Sequence, residues 1–219
     1  MTMIKIFIGH DRREDQAVRV LTDSIFKASS QPVSFTYIKN DQIKEYKREY
    51  ANQSVDFTYS RFLVPYLCDY KGWAIFMDCD MLVREDISNL WEMKDDNYTV
   101  QVVKHDYITK VNSKHTGEKQ TSYPRKNWSS LMIFNCEKCK ALTSNFVNTA
   151  TGKQLHQFEW IDDKEIGALP LTWNWLADEY EYKSNVANIH YTLGGPWFND
   201  AFRSDYEQEW IYYYKKMGA

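Results

Sequence analysis

The run Trp73-Ala74-Ile75-Phe76-Met77 constrains this chain more than any other segment. Five apolar residues in a row offer no polar face to water, so the run reads as a strand covered on both sides, the situation of a parallel sheet flanked by helices. It ends at Asp78-Cys79-Asp80. The start of the chain supports the same architecture. Met3-Ile4-Lys5-Ile6-Phe7-Ile8 is short and β-branched and stops at Gly9, as a buried first strand would. Asp11 and Glu14 have the spacing of a capping box, and Val18, Leu21, Ile25 and Ala28 then recur at helical intervals. Val33-Ser34-Phe35-Thr36-Tyr37-Ile38 alternates like a strand. Strand, helix and strand in this order predict a right-handed βαβ crossover.

Further along, Phe62, Leu63, Tyr66, Leu67 and Tyr70 mark one helical face, with Pro65 at a kink or first turn. Residues 98–103, 130–134 and 186–191 read as strands, residues 137–148 as a helix, and a short helix follows Asp162. The polar stretch 104–127 is long enough to carry function. The pattern predicts an α/β fold with a mostly parallel central sheet, in which ligands bind beyond the carboxyl ends of the strands.

The 219 residues suit one domain, and no repeat or linker composition divides them. Lysine and arginine number 27 against 30 acidic residues, so the net charge of −3 offers no field for a nucleic-acid backbone. No apolar run approaches the ~20 residues that span a bilayer, and charged Asp11-Arg12-Arg13 interrupts any leader. A soluble, cytoplasmic protein with no transmembrane segment is expected. Cys68, Cys79, Cys136 and Cys139 read as reduced thiols, and Cys136-Glu137-Lys138-Cys139 lacks the second ligand pair of a zinc site.

Two carboxylates one residue apart at the exit of a buried strand are costly unless hydrogen bonds or a cation compensate them. Asp78 and Asp80 therefore read either as caps of an acidic turn or as hard oxygen ligands for Mg2+ or Mn2+, which completes its shell with phosphate oxygens.

The surrounding residues decide between these. Arg61-Phe62-Leu63-Val64-Pro65 precedes the apolar strand and its Asp-x-Asp, and His190-Tyr191-Thr192-Leu193-Gly194-Gly195-Pro196-Trp197 lies far downstream. Between them come Phe134-Asn135-Cys136, Trp160-Ile161-Asp162-Asp163 and Trp173-Asn174. In order and approximate spacing, over residues 3–198, this resembles the family 8 type of nucleotide-sugar glycosyltransferases with the GT-A fold. The resemblance implies a Rossmann-like central sheet with a C-terminal aromatic-rich lid segment. It implies that residues 1–103 form a nucleotide-binding half and 104–219 an acceptor half with the lid. It implies that Asp78, Asp80 and His190 hold Mn2+ (or Mg2+) against the donor's diphosphate, and that Gly9, Asp11, Arg61, Asn135, Gly194 and Gly195 contribute to the nucleotide-sugar site. Asp162 and Asp163 are the candidate catalytic carboxylates.

Two departures from the family pattern matter. Gly195 stands where a phosphate-binding lysine usually precedes Pro-Trp, so a lysine elsewhere, such as Lys126, or backbone amides must serve. Asp162-Asp163 replaces the usual Asp-Gln. The implied reaction moves a hexose, most plausibly from a UDP-linked donor, to a glycan or other hydroxyl acceptor with retention. Inversion would need a base, for which Glu159, Asp162 or Asp163 would serve. Trp128, Trp173, Trp175 and Trp197 are candidates either for stacking on sugars or for packing. The terminal segment with Trp210, Ile211, Tyr213 and Tyr214 is a candidate cap of the site or a contact surface. A haloacid-dehalogenase-type phosphatase also uses a strand-end Asp-x-Asp, and a noncatalytic carbohydrate-binding module would explain the tryptophans.

Overall fold

The computed structural model describes residues 3–48, 55–109, 114, 122–198 and 203–217. Strand β1 (Ile4–Gly9) leads into helix α1 (Asp15–Ala28) and back to β2 (Val33–Ile38), which pairs with β1 in parallel from Ile4↔Val33 to Gly9↔Ile38. A 3-10 turn at Ser60–Leu63 precedes helix α2 (Val64–Leu67), with Pro65 in its first turn, where a missing N–H is harmless. Strand β3 (Trp73–Met77) follows and lies parallel to β1. Next come β4 (Met81–Val83), α3 (Ile87–Glu92), β5 (Val100–Val102) and β6 (Leu131–Asn135). The chain continues through α4 (Ser144–Thr149), α5 (Gly152–His156), β7 (Ile166–Ala168), β8 (Trp175–Leu176), β9 (Asn188–His190) and α6 (Glu207–Met217).

Six strands form the central sheet in the order β2-β1-β3-β6-β5-β7. All run one way except β6, which is antiparallel to both β3 and β5. The carboxyl ends of β1, β2, β3 and β5 therefore share one edge, and β6 starts there rather than ending there. Ala74, Ile75, Phe76 and Met77 are fully buried, as the apolar run requires. A second, small sheet has the order β4-β9-β8. It shares a separate apolar cluster, Leu82, Ile189, Tyr191, Tyr206 and Trp210, with the buried Val20 of α1. The aromatic C-terminal segment is α6, docked on α1 and this cluster through Trp210. At about 25 cal/mol per Å2 of apolar surface removed from water, Trp210 alone anchors α6 by a few kcal/mol.

Three expectations need correction. Glu14, not Asp11, is the N-cap of α1, and no side chain caps that end. Residues 137–148 are not one helix: a 3-10 turn at Cys136–Lys138 is separated from α4, which Thr143 starts by accepting a hydrogen bond from the Phe146 N–H at 3.1 Å. Strands β4, β7 and β8, with two or three residues each, carry too little periodicity to be read. Of the 104–127 stretch, residues 110–113 and 115–121 lie outside the described residues.

Candidate functional site

The central sheet delivers Asp78 and the small sheet delivers His190. Asp78 follows β3 directly, and its N–H donates to the Ser130 carbonyl at 2.8 Å, extending the β3–β6 pairing by one step. Three residues later β4 begins, and Met81 pairs with His190 at the end of β9. Tyr191 N–H donates to the Asp80 carbonyl at 2.8 Å, so the backbones on either side of the cleft are tied together. One ligand atom from each of Asp78, Asp80 and His190 lies within 4.8 Å of the others. His190 Nε2 lies 3.2 Å from Asp80 Oδ1.

The chemistry of this cluster fits a hard divalent cation. Asp78 Oδ1 and Asp80 Oδ1 are both buried and lack a well-aligned hydrogen bond among the described residues; each has one ion-pair neighbour, Arg61 Nη1 at 2.7 Å and His190 Nε2 at 3.2 Å. Burial pushes the Asp78 carboxyl up to about 6 even with Arg61 opposing it. Burial also works against the charge of Asp80, but His190 outweighs it and holds that carboxyl below its ordinary value, with the charge of Lys114 helping. Two carboxylates and an imidazole around a small gap are the donor set that Mg2+ or Mn2+ takes, and a cation there would compensate both buried carboxylates at once.

Arg61 is buried, not on a solvated helix face. Its Nη1 stands 2.7 Å from Asp78 Oδ1 and donates to Ser129 O at 2.9 Å, while Nε donates to Thr58 O at 3.1 Å. The guanidinium also lies over the rings of Phe57 and Phe76. It clamps Asp78 in place. Behind Asp80, the Cys79 thiol donates to Glu14 Oε2 at 2.8 Å, and burial, then the charge of Asp80, pushes Glu14 up to about 8.

The other sequence candidates divide. Gly9 ends β1, and a Cβ there would lie 2.2 Å from the Phe57 ring, so glycine lets that ring close over the strand end. Asp11 is fully buried and its carboxylate accepts from Arg13 N, Nε and Nη2 and from Asp56 N. Burial alone would raise its pKa, but these bonds hold it below the ordinary value. Asp11 thus anchors the loop after β1. Asn135 is not brought to the site. It pairs with Trp73, at the far end of β3 from Asp78, because β6 runs against its neighbours; four strand steps of about 3.3 Å separate the two ends.

Asp162 and Asp163 are exposed and lie outside the metal-type cluster; Lys164 is 3.6 Å from Asp162 and Arg125 2.7 Å from Asp163. Gly194 turns the chain after His190 with φ of 103°, a conformation that favours glycine. At Gly195 a Cβ would come within 1.9 Å of the Trp197 ring. The Trp197 ring thus packs directly against the Gly195 backbone. Trp173 is core, whereas Trp128, Trp175 and Trp197 are half-buried.

Two cavities flank the cluster's edge of the sheet. One, about 500 Å3, is lined by His10, Lys39, Asn40, Tyr46 and Arg48 among others, next to the ends of β1 and β2. The other, about 320 Å3, is lined by His105, Tyr107, Tyr123 and Lys126 among others, beyond β5. Lys126 is half-buried and burial lowers its ammonium to about 8. Sequence reasoning missed Glu14, Ser130 and Lys114; of these, only Glu14 had a local signal, a carboxylate on the buried side of an amphipathic helix start.

A profile of the family described as "Glycosyl transferase family 8" matches residues 3–201. The Arabidopsis thaliana protein called "Protein CDI" is 43% identical over 218 residues, covering 94% of this chain and 84% of that one. Among solved structures, the apo WbbM bifunctional glycosyltransferase matches with a TM-score of 0.69 at 16% identity, over 97% of this chain and 50% of the other, so this chain spans half that protein's length. The galactosyltransferase LgtC, solved with donor and acceptor sugar analogues, matches with a TM-score of 0.62 at 12% identity, over 97% and 96% of the two chains. At such identities the likeness is one of fold, that of GT-A glycosyltransferases.

Proposed function

This chain belongs to glycosyltransferase family 8, and on that footing we propose that it is a metal-dependent hexosyltransferase using a nucleotide sugar, most plausibly UDP-linked. The observation that carries the reading is the convergence of Asp78, Asp80 and His190, with both Oδ1 atoms buried and neither given a well-aligned hydrogen bond among the described residues. These three side chains would hold Mn2+ (or Mg2+), which when bound would offset the charge of the departing diphosphate. Arg61 keeps the Asp78 carboxylate aimed by occupying its flank. The cavity of about 500 Å3 beside Gly9 has room for a nucleoside and supports assigning residues 1–103 to the donor half. The cavity of about 320 Å3, walled by Tyr107 and Tyr123, supports a glycan or other hydroxyl acceptor in the half formed by residues 104–219.

Lys114, whose charge acts on Asp80, and Lys126 would take the place of the lysine absent at Gly195, with backbone amides such as those of Gly194 and Gly195 as the other source of phosphate contacts. Asp162 and Asp163 are exposed carboxylates available to stabilise positive charge at the anomeric carbon, and same-face transfer with retention is the outcome that family membership implies. Neither alternative accounts for the donor set together with the family match over residues 3–201.

The test is calorimetry with UDP in the presence and absence of Mn2+, followed by Asp80→Ala. Wild type is expected to bind UDP at least tenfold more tightly with Mn2+, about 1.4 kcal/mol, and Asp80→Ala to lose that gain. Equal affinity with and without the ion would reject the metal clamp. A panel of nucleotide sugars then identifies the donor by product formation. No helix among the described residues is long and apolar enough to cross a membrane.

A further inference from the structure

Asn174 is fully buried between two neighbours whose demands on its amide are opposite. Its Nδ2 donates to Ser130 Oγ at 2.7 Å, and its Oδ1 lies 2.9 Å from His190 Nδ1. An amide can be flipped, so the orientation needs a cause. The Ser130 hydroxyl supplies it: its one hydrogen is committed to the Asn127 carbonyl at 2.7 Å, so Oγ turns a lone pair toward Asn174. Only an NH2 group satisfies that lone pair, and the Asn127 carbonyl, 3.4 Å from Nδ2, repels the alternative as well. The oxygen of Asn174 must then face His190.

We propose that Asn174 is a positioning residue that locks His190 in the Nδ1–H tautomer, and so presents the Nε2 lone pair to the metal. The inference rests on the metal reading above for its consequence, but the lock itself is a property of the chain alone. Without the lock, the ring would place a hydrogen on Nε2 and donate it to Asp80 Oδ1, 3.2 Å away. That hydrogen bond would close the site, because a protonated nitrogen is not a ligand. In the neutral ring the lock leaves Nε2 and Asp80 Oδ1 facing each other as two acceptors, an arrangement that either a proton or a metal cation at Nε2 resolves. Ser130 serves the site twice: its carbonyl receives the Asp78 N–H at 2.8 Å, and its hydroxyl starts the relay that ends at His190. Partners of this kind behind a ligating histidine typically change metal affinity by 10- to 100-fold.

Two measurements test this. In metal-free wild type at a pH where the ring is neutral, 15N NMR of His190, assigned by its loss in His190→Gln, is expected to show hydrogen on Nδ1. Mn2+ affinity, read by electron paramagnetic resonance of the free ion, is expected to fall about 10- to 100-fold in Asn174→Leu, which is close in shape but accepts nothing. Asn174→Asp keeps an oxygen facing Nδ1, and the Ser130 hydroxyl can turn its hydrogen from the Asn127 carbonyl to the second oxygen, so this variant is expected to bind Mn2+ as tightly as wild type or better. Ser130→Ala releases the amide and is expected to mix the tautomers.

A folded Asn174→Leu that binds Mn2+ within about threefold of wild type would overturn the proposal. If that variant does not fold, a native Asn174→Asp with Mn2+ affinity down tenfold or more would do so. Wild type that binds Mn2+ but carries hydrogen on Nε2 sinks the lock alone. Wild type that binds no Mn2+ but carries hydrogen on Nδ1 sinks the metal reading and upholds the lock.

Discussion

Arg61→Met deletes a guanidinium and keeps an apolar stem against Phe57 and Phe76, so its effect reports the polar contacts of Arg61, among them the buried ion pair with Asp78. The two side chains are 6% and 14% exposed, and the charged atoms are 2.7 Å apart. Two consequences have different pH dependence. Thr58 O and Ser129 O lose their donors at any pH, at about 1 kcal/mol each. Leaving Asp78 as an unpaired buried charge costs about 3–5 kcal/mol, but only while it is charged.

Asp78 sits at about 6 in the folded chain against an ordinary 3.8. A carboxyl raised on folding stabilises fully below its unfolded value, and that contribution is lost as pH rises through the folded value. At 1.36 kcal/mol per unit, wild type loses about 3 kcal/mol by this route between pH 4 and 7. Removing Arg61 raises Asp78 further, so the loss continues to higher pH. Urea denaturation in EDTA should therefore show Arg61→Met less stable than wild type by about 2 kcal/mol at pH 5 and about 5 at pH 8. A difference that is flat with pH, or under about 1 kcal/mol at pH 8, would refute the idea that the arginine compensates this acid.

Two further outcomes are expected. Glu14→Gln keeps an acceptor for the Cys79 thiol but cannot ionise; since folding raises Glu14 from 4.5 to about 8, wild type loses stability as pH climbs through that window. The variant should be more stable than wild type by about 2–3 kcal/mol at pH 7 and by little at pH 4.5 in metal-free denaturation curves, and a variant less stable at pH 7 contradicts the burial argument. Gly195→Ala forces the Trp197 ring away from its packing on Tyr191 and Trp210, with ring centroids at 5.9 and 5.3 Å. Thermal unfolding should show a loss of about 1–3 kcal/mol, and an unchanged melting temperature would mean the ring is free to swing away.

The parts of the fold legible in the sequence are those where one element's own residues state its surroundings. The apolar run Trp73–Met77 announces a doubly covered strand, and Val18, Leu21 and Ile25 announce the buried face of α1. What stayed hidden depends on partners distant in sequence. The antiparallel course of β6 cannot be seen in its five residues, and it moves Asn135 to the wrong end of the sheet. Arg61 looks the same in sequence whether it faces a sugar or Asp78. Asn174 stands in a Trp-Asn-Trp segment that announces packing, and only Ser130 and His190, 44 and 16 positions away, reveal its amide as oriented.

The pairing of Met81 with His190 brings the third donor in beside the second, closing a long excursion of chain with a single strand contact. Such closure grows more costly only slowly with length, about 0.6 kcal/mol per doubling of the enclosed segment. Residues inserted in the outlying loops of that excursion would enlarge or reshape what the enzyme recognises while leaving the spacing of the donors unchanged. One residue added between Asp80 and Val83 would instead slip β4 against β9 by a step and carry Asp80 out of its place beside His190. The architecture thus separates a segment open to evolutionary variation from a three-residue ladder that tolerates none.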